Sequence, residues 1–253
     1  MGAASVNTQY DVRGELRFAE SMVRHSSWRA GGNAAVFFIP ADQADLVDFV
    51  RQLESEREVL WLGLGSNLLV RDGGFSGVVI DTRKALADLK LNSQGLLRAG
   101  AGVPGAKLAR FAVANGFRGA EFFAGIPGTV GGALAMNAGA WGGETWQCVK
   151  QVETLSRQAQ ITTRTSQEYK VGYRSVSGPD DWFLSATFDF QKAPQGFDGV
   201  LEIKSMLAQR AASQPVQSAN AGSVFRNPEG DYAARLIESC GLKGSRKGGA
   251  QIA

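Results

Sequence analysis

The sequence predicts an α+β protein of more than one unit, on three observations. Residues 20–83 alternate short apolar strands with one amphipathic helix, as a small α/β unit does. Residues 149–190 carry strand-like stretches joined by short connections, which suits antiparallel pairing. Between them lies AGIPGTVGGALAMNAGAWGG (124–143), with seven glycines and almost no charge. That segment is too apolar for a linker and too glycine-rich for an ordinary helix or strand. Glycine is required where φ is positive or where something approaches the backbone closely. The segment therefore predicts bare backbone packed against a flat ligand.

The elements follow in order. VFFI (36–39) reads as a strand ended by Pro40. Asp42 can cap a helix whose Leu46, Val47, Phe49, Val50 and Leu53 form one apolar stripe. VLWL (59–62) is a strand running into Gly63-Leu64-Gly65-Ser66-Asn67. Residues 68–70 and 77–80 read as further strands, separated by the turn Asp72-Gly73-Gly74. A second unit opens with a strand at 96–99 and a helix at 107–114 closed by Asn115-Gly116. Strands are expected at 149–155, 160–165 and 182–190. In the last, Leu184, Ala186, Phe188 and Phe190 alternate with polar positions, which predicts one buried face. Residues 191–199 are polar, with Pro and Gly, and mark a boundary. A third unit begins with a helix at 200–212. A second helix is expected to be capped by Asp231, to carry Ala234, Leu236, Ile237 and Cys240, and to end at Gly241.

Composition narrows the function. The chain of 253 residues is 44% hydrophobic and 20% charged, as ordinary globular proteins are. A net charge of +3 suits an anionic small ligand, and no basic run or aromatic-basic repeat favours nucleic acid. Cys148 and Cys240 lack metal-ligand spacing and read as reduced thiols. His25 is the single histidine, so neither a zinc site nor a Ser-His-Asp triad is expected. The first residues contain no apolar run, so no signal peptide is expected, and no apolar stretch is long enough for a membrane span.

Four constellations could carry chemistry. Gly100, Gly102 and Gly105 match GxGxxG, with Glu121 roughly where a ribose ligand would stand. Without a parallel β-α-β unit around it, the stretch reads as a tight turn. Gly63–Asn67 is either a simple turn or a nest of N–H groups for an anion such as a diphosphate; no Lys-Ser/Thr follows, so it is not a Walker loop. Tyr173-Arg174 is either a surface pair or an arginine that stabilises a carboxylate or enolate. Gly222–Pro228 is either a loop preceding a helix cap or a site in which Ser223 donates a proton.

Together SWRAGG (27–32), GLGSNLLV (63–70), GAEFFAGIPGTVGGALAMNAGAWGGE (119–144), VGYRSV (171–176), AGSVFRNP (221–228) and the stretch 233–253 resemble the UDP-N-acetylenolpyruvoylglucosamine reductases, from about residue 22 onward. The resemblance implies a vanillyl-alcohol-oxidase/PCMH-type FAD-binding fold of two lobes (21–85 and 86–192). An α+β substrate-binding lobe (193–253) follows, and residues 1–20 form an N-terminal extension. It implies that Gly63, Gly65, Ser66, Asn67 and Leu68 hold the FAD diphosphate. Gly125, Pro127, Gly128, Thr129, Gly132, Asn137 and Ala138 would line the flavin. Arg174 and Ser223 would be catalytic, as enolate-stabilising arginine and proton donor. Tyr173, Arg226, Asn227, Arg210 and Lys243 would contact substrate. The implied activity is NADPH-dependent reduction of the enolpyruvyl ether of a UDP-sugar to UDP-N-acetylmuramate, in peptidoglycan synthesis, by a cytoplasmic monomer. The short 174–190 region resembles the subtype lacking an inserted tyrosine loop. Asn33 stands where the family usually has proline. The family's pattern continues past Ala253 with a catalytic glutamate. The third lobe is therefore expected to be incomplete, with an FAD-binding form of little or no turnover as the alternative.

Overall fold

The computed structural model describes residues 10–214 and 222–252. The first lobe contains β1 (Glu15–Ser21), β2 (Asn33–Ile39), α1 (Gln43–Arg51), β3 (Val59–Leu62) and β4 (Phe75–Asp81). Its sheet runs β1-β2-β4-β3, with β1 antiparallel to β2 and the other pairs parallel. β4 is buried on both faces, which accounts for its unbroken Val78-Val79-Ile80. Val78 and Ile80 pack with Phe38, Leu46 and Phe49; Val79 packs opposite, with Phe37 and Leu62.

Asp42 caps α1 as expected, accepting from the Asp45 N–H at 2.9 Å. Asp45 is itself buried and accepts from the backbone N–H groups of Arg13, Gly14 and Ala41. That carboxylate ties the start of α1 to the entry of β1, within the expected extension; residues 1–9 lie outside the described ones. Residues 68–70 do not form the expected strand. β4 is already paired on both sides, and this segment instead runs past Gly32, whose N–H donates to the Val70 carbonyl at 3.0 Å.

The second lobe contains β5 (Leu89–Leu91), β6 (Leu97–Gly100), α2 (Gly105–Ala114), β7 (Phe117–Arg118), α3 (Val130–Ala135), β8 (Gly139–Ala140), β9 (Gly143–Glu144), β10 (Val149–Leu155), β11 (Ile161–Thr165), β12 (Lys170–Gly172), β13 (Ser175–Ser177), β14 (Trp182–Phe188) and β15 (Gln191–Lys192). Its main sheet, β11-β10-β14-β6-β5, is antiparallel throughout, as the short connections predict. The expectation of one buried face on β14 is corrected. Ser185 and Thr187 are buried too, because β14 lies at the sheet centre. Glu153 on β10 accepts from Ser185 Oγ at 2.6 Å and pairs with Arg98 of β6, so polar partners occupy the second face. The strand also stops at Phe188, short of residue 190.

The GxGxxG stretch is a turn: Val103 N–H donates to the Gly100 carbonyl, and α2 leads to β7, which pairs antiparallel with β15. Glu121 accepts from the Gly119 N–H at 2.7 Å. The two lobes share a core in which Val36, Phe38 and Ile80 meet Leu155 and Leu184. At its edge Trp61 stacks on Trp182 at 5.4 Å, and Arg157 lies over Trp182 at 5.3 Å.

Next come α4 (Gly199–Ser213), α5 (Ala233–Ser239) and the hairpin of β16 (Arg246–Lys247) with β17 (Ala250–Gln251). Asp198 caps α4, and Ile203 inserts into the second lobe's core. The expected Asp231 cap of α5 is corrected. Asp231 is one residue too early: its carboxylate accepts from Tyr232 N–H and pairs with Arg235, while Ala233 N–H donates to Asn227 Oδ1 at 3.1 Å. The pairing with Arg235 holds the Asp231 carboxyl down at about 2. Gly241, at φ +68°, ends α5 as expected: its N–H bonds Glu238 and that of Leu242 bonds Ile237.

The two cysteines differ. Cys240 is exposed, whereas burial pushes the Cys148 thiol up to about 12, with Sγ donating to the Thr145 carbonyl at 3.1 Å. An alkylating reagent at mildly alkaline pH should therefore consume one thiol quickly in the native protein and the second only after denaturation. Two equally fast thiols would contradict this burial. Because the folded thiol's pKa lies above its unfolded value, its contribution to stability is full below the ordinary thiol range and is lost as pH climbs toward 12.

Candidate functional site: a glycine cradle facing an arginine hairpin

Three segments meet at the end of β3. The loop Gly63–Leu68 is the centre. Gly65 takes φ +63°, and a Cβ there would lie 1.8 Å from the His25 carbonyl oxygen. Ser27 N–H donates to the Gly65 carbonyl at 3.1 Å, and Ser26 Oγ to the Leu68 carbonyl at 2.8 Å. A Cβ on Gly63 would meet Thr129 Oγ1 at 2.4 Å. The loop 63–68 thus touches residues 25–28 on one side and the segment 125–132 on the other. SWRAGG marked the first segment in the sequence, but only contact shows that Ser26 and Ser27 fasten the loop. Among the described residues, none of the N–H groups of residues 64–68 donates a hydrogen bond. Five consecutive open donors are the kind of group from which an anion nest is built.

The segment 124–143 uses its glycines for different purposes. Gly131 packs on Ala101 and Gly143 on the Phe122 ring. Gly125 lies under the Trp141 indole, where a Cβ would come within 2.1 Å of the ring. Gly128 and Gly132 are different: a Cβ on the first would meet only Ser66 Oγ at 3.6 Å, and on the second only Thr129 Oγ1 at 4.0 Å. The free face of Gly128 adjoins the donor loop at Ser66. Pro127 is exposed beside it, and Thr129 and Ala138 are buried.

Asn137 is buried, at φ +39°. Its Nδ2 donates to Glu144 Oε2 at 2.8 Å and to the Gly172 carbonyl at 3.2 Å, and its Oδ1 accepts from Trp146 N–H. Both amide hydrogens are thereby committed within the protein. The Gly172 carbonyl closes β12, and Gly172 pairs with Ser175, so Tyr173 and Arg174 form a two-residue turn. Such turns favour Asn-Gly. Here Arg174, exposed, takes φ +52°. A non-glycine residue held in that region marks a constraint other than local preference.

Arg226 donates to the Arg174 carbonyl at 3.4 Å, bringing the 222–228 loop, with exposed Ser223, to the hairpin. Arg210 on α4 donates to the Gly125 carbonyl, placing that helix against the cradle. Asn227 serves as the side-chain acceptor at the start of α5. Lys243 pairs with Glu238 at 3.0 Å. His25 Nε2 lies 2.7 Å from Glu20 Oε1, with its ring against Phe37. Among the described residues no cluster of three or more His, Cys, Asp or Glu could hold a metal, and no helix is long and apolar enough to cross a membrane.

Residues 34–164 match the family described as FAD binding domain. Residues 214–253 match the UDP-N-acetylenolpyruvoylglucosamine reductase C-terminal domain. The chain is 51% identical over 244 residues to the UDP-N-acetylenolpyruvoylglucosamine reductase of Legionella pneumophila strain Corby, covering 96% of this chain and 79% of that protein. It belongs to this reductase family. The Methylococcus capsulatus reductase is 49% identical over 98% of this chain and 82% of its own length. The crystal structure of the Thermus caldophilus reductase superimposes with TM-score 0.80 at 29% identity, over 96% of this chain and 85% of the other. An Arthrobacter nicotinovorans 6-hydroxy-D-nicotine oxidase shares the fold alone, at TM-score 0.57 and 14% identity, over 76% of this chain and 45% of that one. The two-lobed FAD-binding fold expected from the sequence is therefore present, and the reductase family uses it for an oxidoreductase of peptidoglycan synthesis.

The cradle fits the FAD that this domain family binds. Five free N–H groups suit a diphosphate, and the open faces of Gly128 and Gly132 leave room for a flat ring.

Proposed function

We propose that the chain reduces UDP-N-acetylenolpyruvoylglucosamine to UDP-N-acetylmuramate with electrons from NADPH. Bound FAD would carry the electron pair from NADPH to the enolpyruvyl double bond. The protein supplies the rest. Residues 64–68 neutralise the diphosphate, and residues 125–138 shape the wall against which the flavin lies. Arg174 receives the substrate carboxylate and stabilises negative charge as it develops. Ser223 Oγ–H gives its proton to the carbanionic carbon. Tyr173, Arg226, Asn227, Arg210 and Lys243 would contact the substrate. Beyond family membership, the contact between Arg226 and the Arg174 carbonyl carries this reading, because it joins the serine loop to the arginine hairpin.

The purified chain should be yellow or take up FAD. NADPH should bleach it, and UDP-N-acetylenolpyruvoylglucosamine should restore the colour. A folded, colourless protein that cannot be loaded with FAD would overturn the cofactor assignment. Bleaching without recovery would favour a second reading: an FAD-holding form with little turnover. That reading draws on the third unit, where α5 buries none of its residues and Phe225, Tyr232 and Leu242 beside it are exposed.

A further inference from the structure

The geometry points to Glu144 and Asn137 as positioning residues that set Arg174 against the cradle. The inference rests on Arg174 as the arginine for the substrate carboxylate. Among the described residues β12 and β13 pair only with each other, through three residue pairs, and so isolated a hairpin is marginal in water. Its turn is unfavourable as well, with Arg174 at positive φ. Something outside the hairpin must hold it. Val176 packs on the lobe core, Tyr169 lies beneath Gly178, and Arg226 reaches the Arg174 carbonyl. The contact nearest the turn from the cradle side is Asn137 Nδ2 to the Gly172 carbonyl.

Asn137 can serve only if its amide is oriented. Glu144 does this, accepting the other amide hydrogen at 2.8 Å while Trp146 N–H fixes Oδ1. Glu144 is in turn fixed: its side chain accepts from Gln147 N–H, and its own N–H donates to Gln147 Oε1 at 3.1 Å. The result is a continuous path, Gln147 to Glu144 to Asn137 to Gly172, ending two residues from Arg174. The same segment carries Ala138 along the cradle wall. One hydrogen-bonded unit thus faces the flavin position with its backbone and the arginine hairpin with its side chains.

The test is amide hydrogen exchange in the FAD-loaded protein, read at residues 170–177, with β10 as the folding control. Asn137→Asp keeps size and removes both donors. Exchange at 170–177 should rise about tenfold or more, the worth of one lost hydrogen bond, while β10 stays protected. Glu144→Ala should do the same, the double variant should exchange no faster than Asn137→Asp, and Glu144→Gln, which keeps an acceptor oxygen, should restore most of the protection. In turnover, Glu144→Ala should raise KM for the UDP-sugar more than it lowers flavin reduction by NADPH. Unchanged exchange at 170–177 in both single variants, or strictly additive increases, would overturn the inference. Arg174→Ala separates the underlying reading: if KM for the UDP-sugar is unmoved there, Arg174 does not hold the carboxylate, whatever the exchange data show for the hairpin.

Discussion

Gly65→Ala should purify without flavin. The left-handed backbone at φ +63° costs alanine about 1–2 kcal/mol by itself. The larger penalty is steric, since the new Cβ would sit 1.8 Å from the His25 carbonyl oxygen. A backbone atom cannot swing aside as a side chain can. Ser27 N–H to Gly65 O and Ser26 Oγ to Leu68 O bind the two segments together, so relief requires them to separate. Separation disperses the five N–H donors that the diphosphate needs in one place. FAD affinity should fall at least about a hundredfold, equivalent to about 2.8 kcal/mol. Titration followed by flavin fluorescence measures this directly. Gly73→Ala is the control: a Cβ there meets nothing within 4 Å, so affinity should not change. Normal FAD binding by Gly65→Ala would mean that the loop is not the phosphate nest.

The contrast between these glycines shows what the sequence could and could not convey. Local rules place β3, the Asp42 cap and the Gly241 stop correctly, because each is decided within a few residues. The glycine content of 124–143 indicates close approach without saying to what. Gly125 and Gly143 make room for Trp141 and Phe122, whereas Gly128 and Gly132 stay open, the first of them beside Ser66 of the loop. β1 escapes notice because ELRFAES is a charged edge strand, and its pairing with β2 depends on partners 12 to 24 residues away. Asp231 fails as a cap because Arg235 holds its carboxylate and Asn227 supplies the acceptor. Ser185 and Thr187 look solvent-facing until Glu153 and Arg98, on neighbouring strands, are brought beside them. Asn137 is legible as a member of the glycine motif, but its hold on Gly172 spans 35 residues, and no local pattern encodes that.

Ser223→Ala separates the two half-reactions. Flavin reduction by NADPH involves no proton from this residue, so bleaching should keep its rate within about twofold. Product formation requires a proton on the carbanionic carbon, and general acid catalysis is worth about 10²–10⁴-fold. Re-oxidation by the UDP-sugar should slow by that factor relative to the unsubstituted chain measured alongside. Arg174→Ala should differ in kind. It removes charge that binds the substrate carboxylate as well as charge that stabilises the transition state, so KM should rise together with the fall in kcat. Ser223→Ala should leave KM nearly unchanged. Both residues are exposed, so the substrate itself must exclude water between them before either acts. If Ser223→Ala slows bleaching and re-oxidation equally, the residue supports the loop's shape and another group donates the proton. If it slows neither, the proton comes from solvent, and the 222–228 loop serves binding alone.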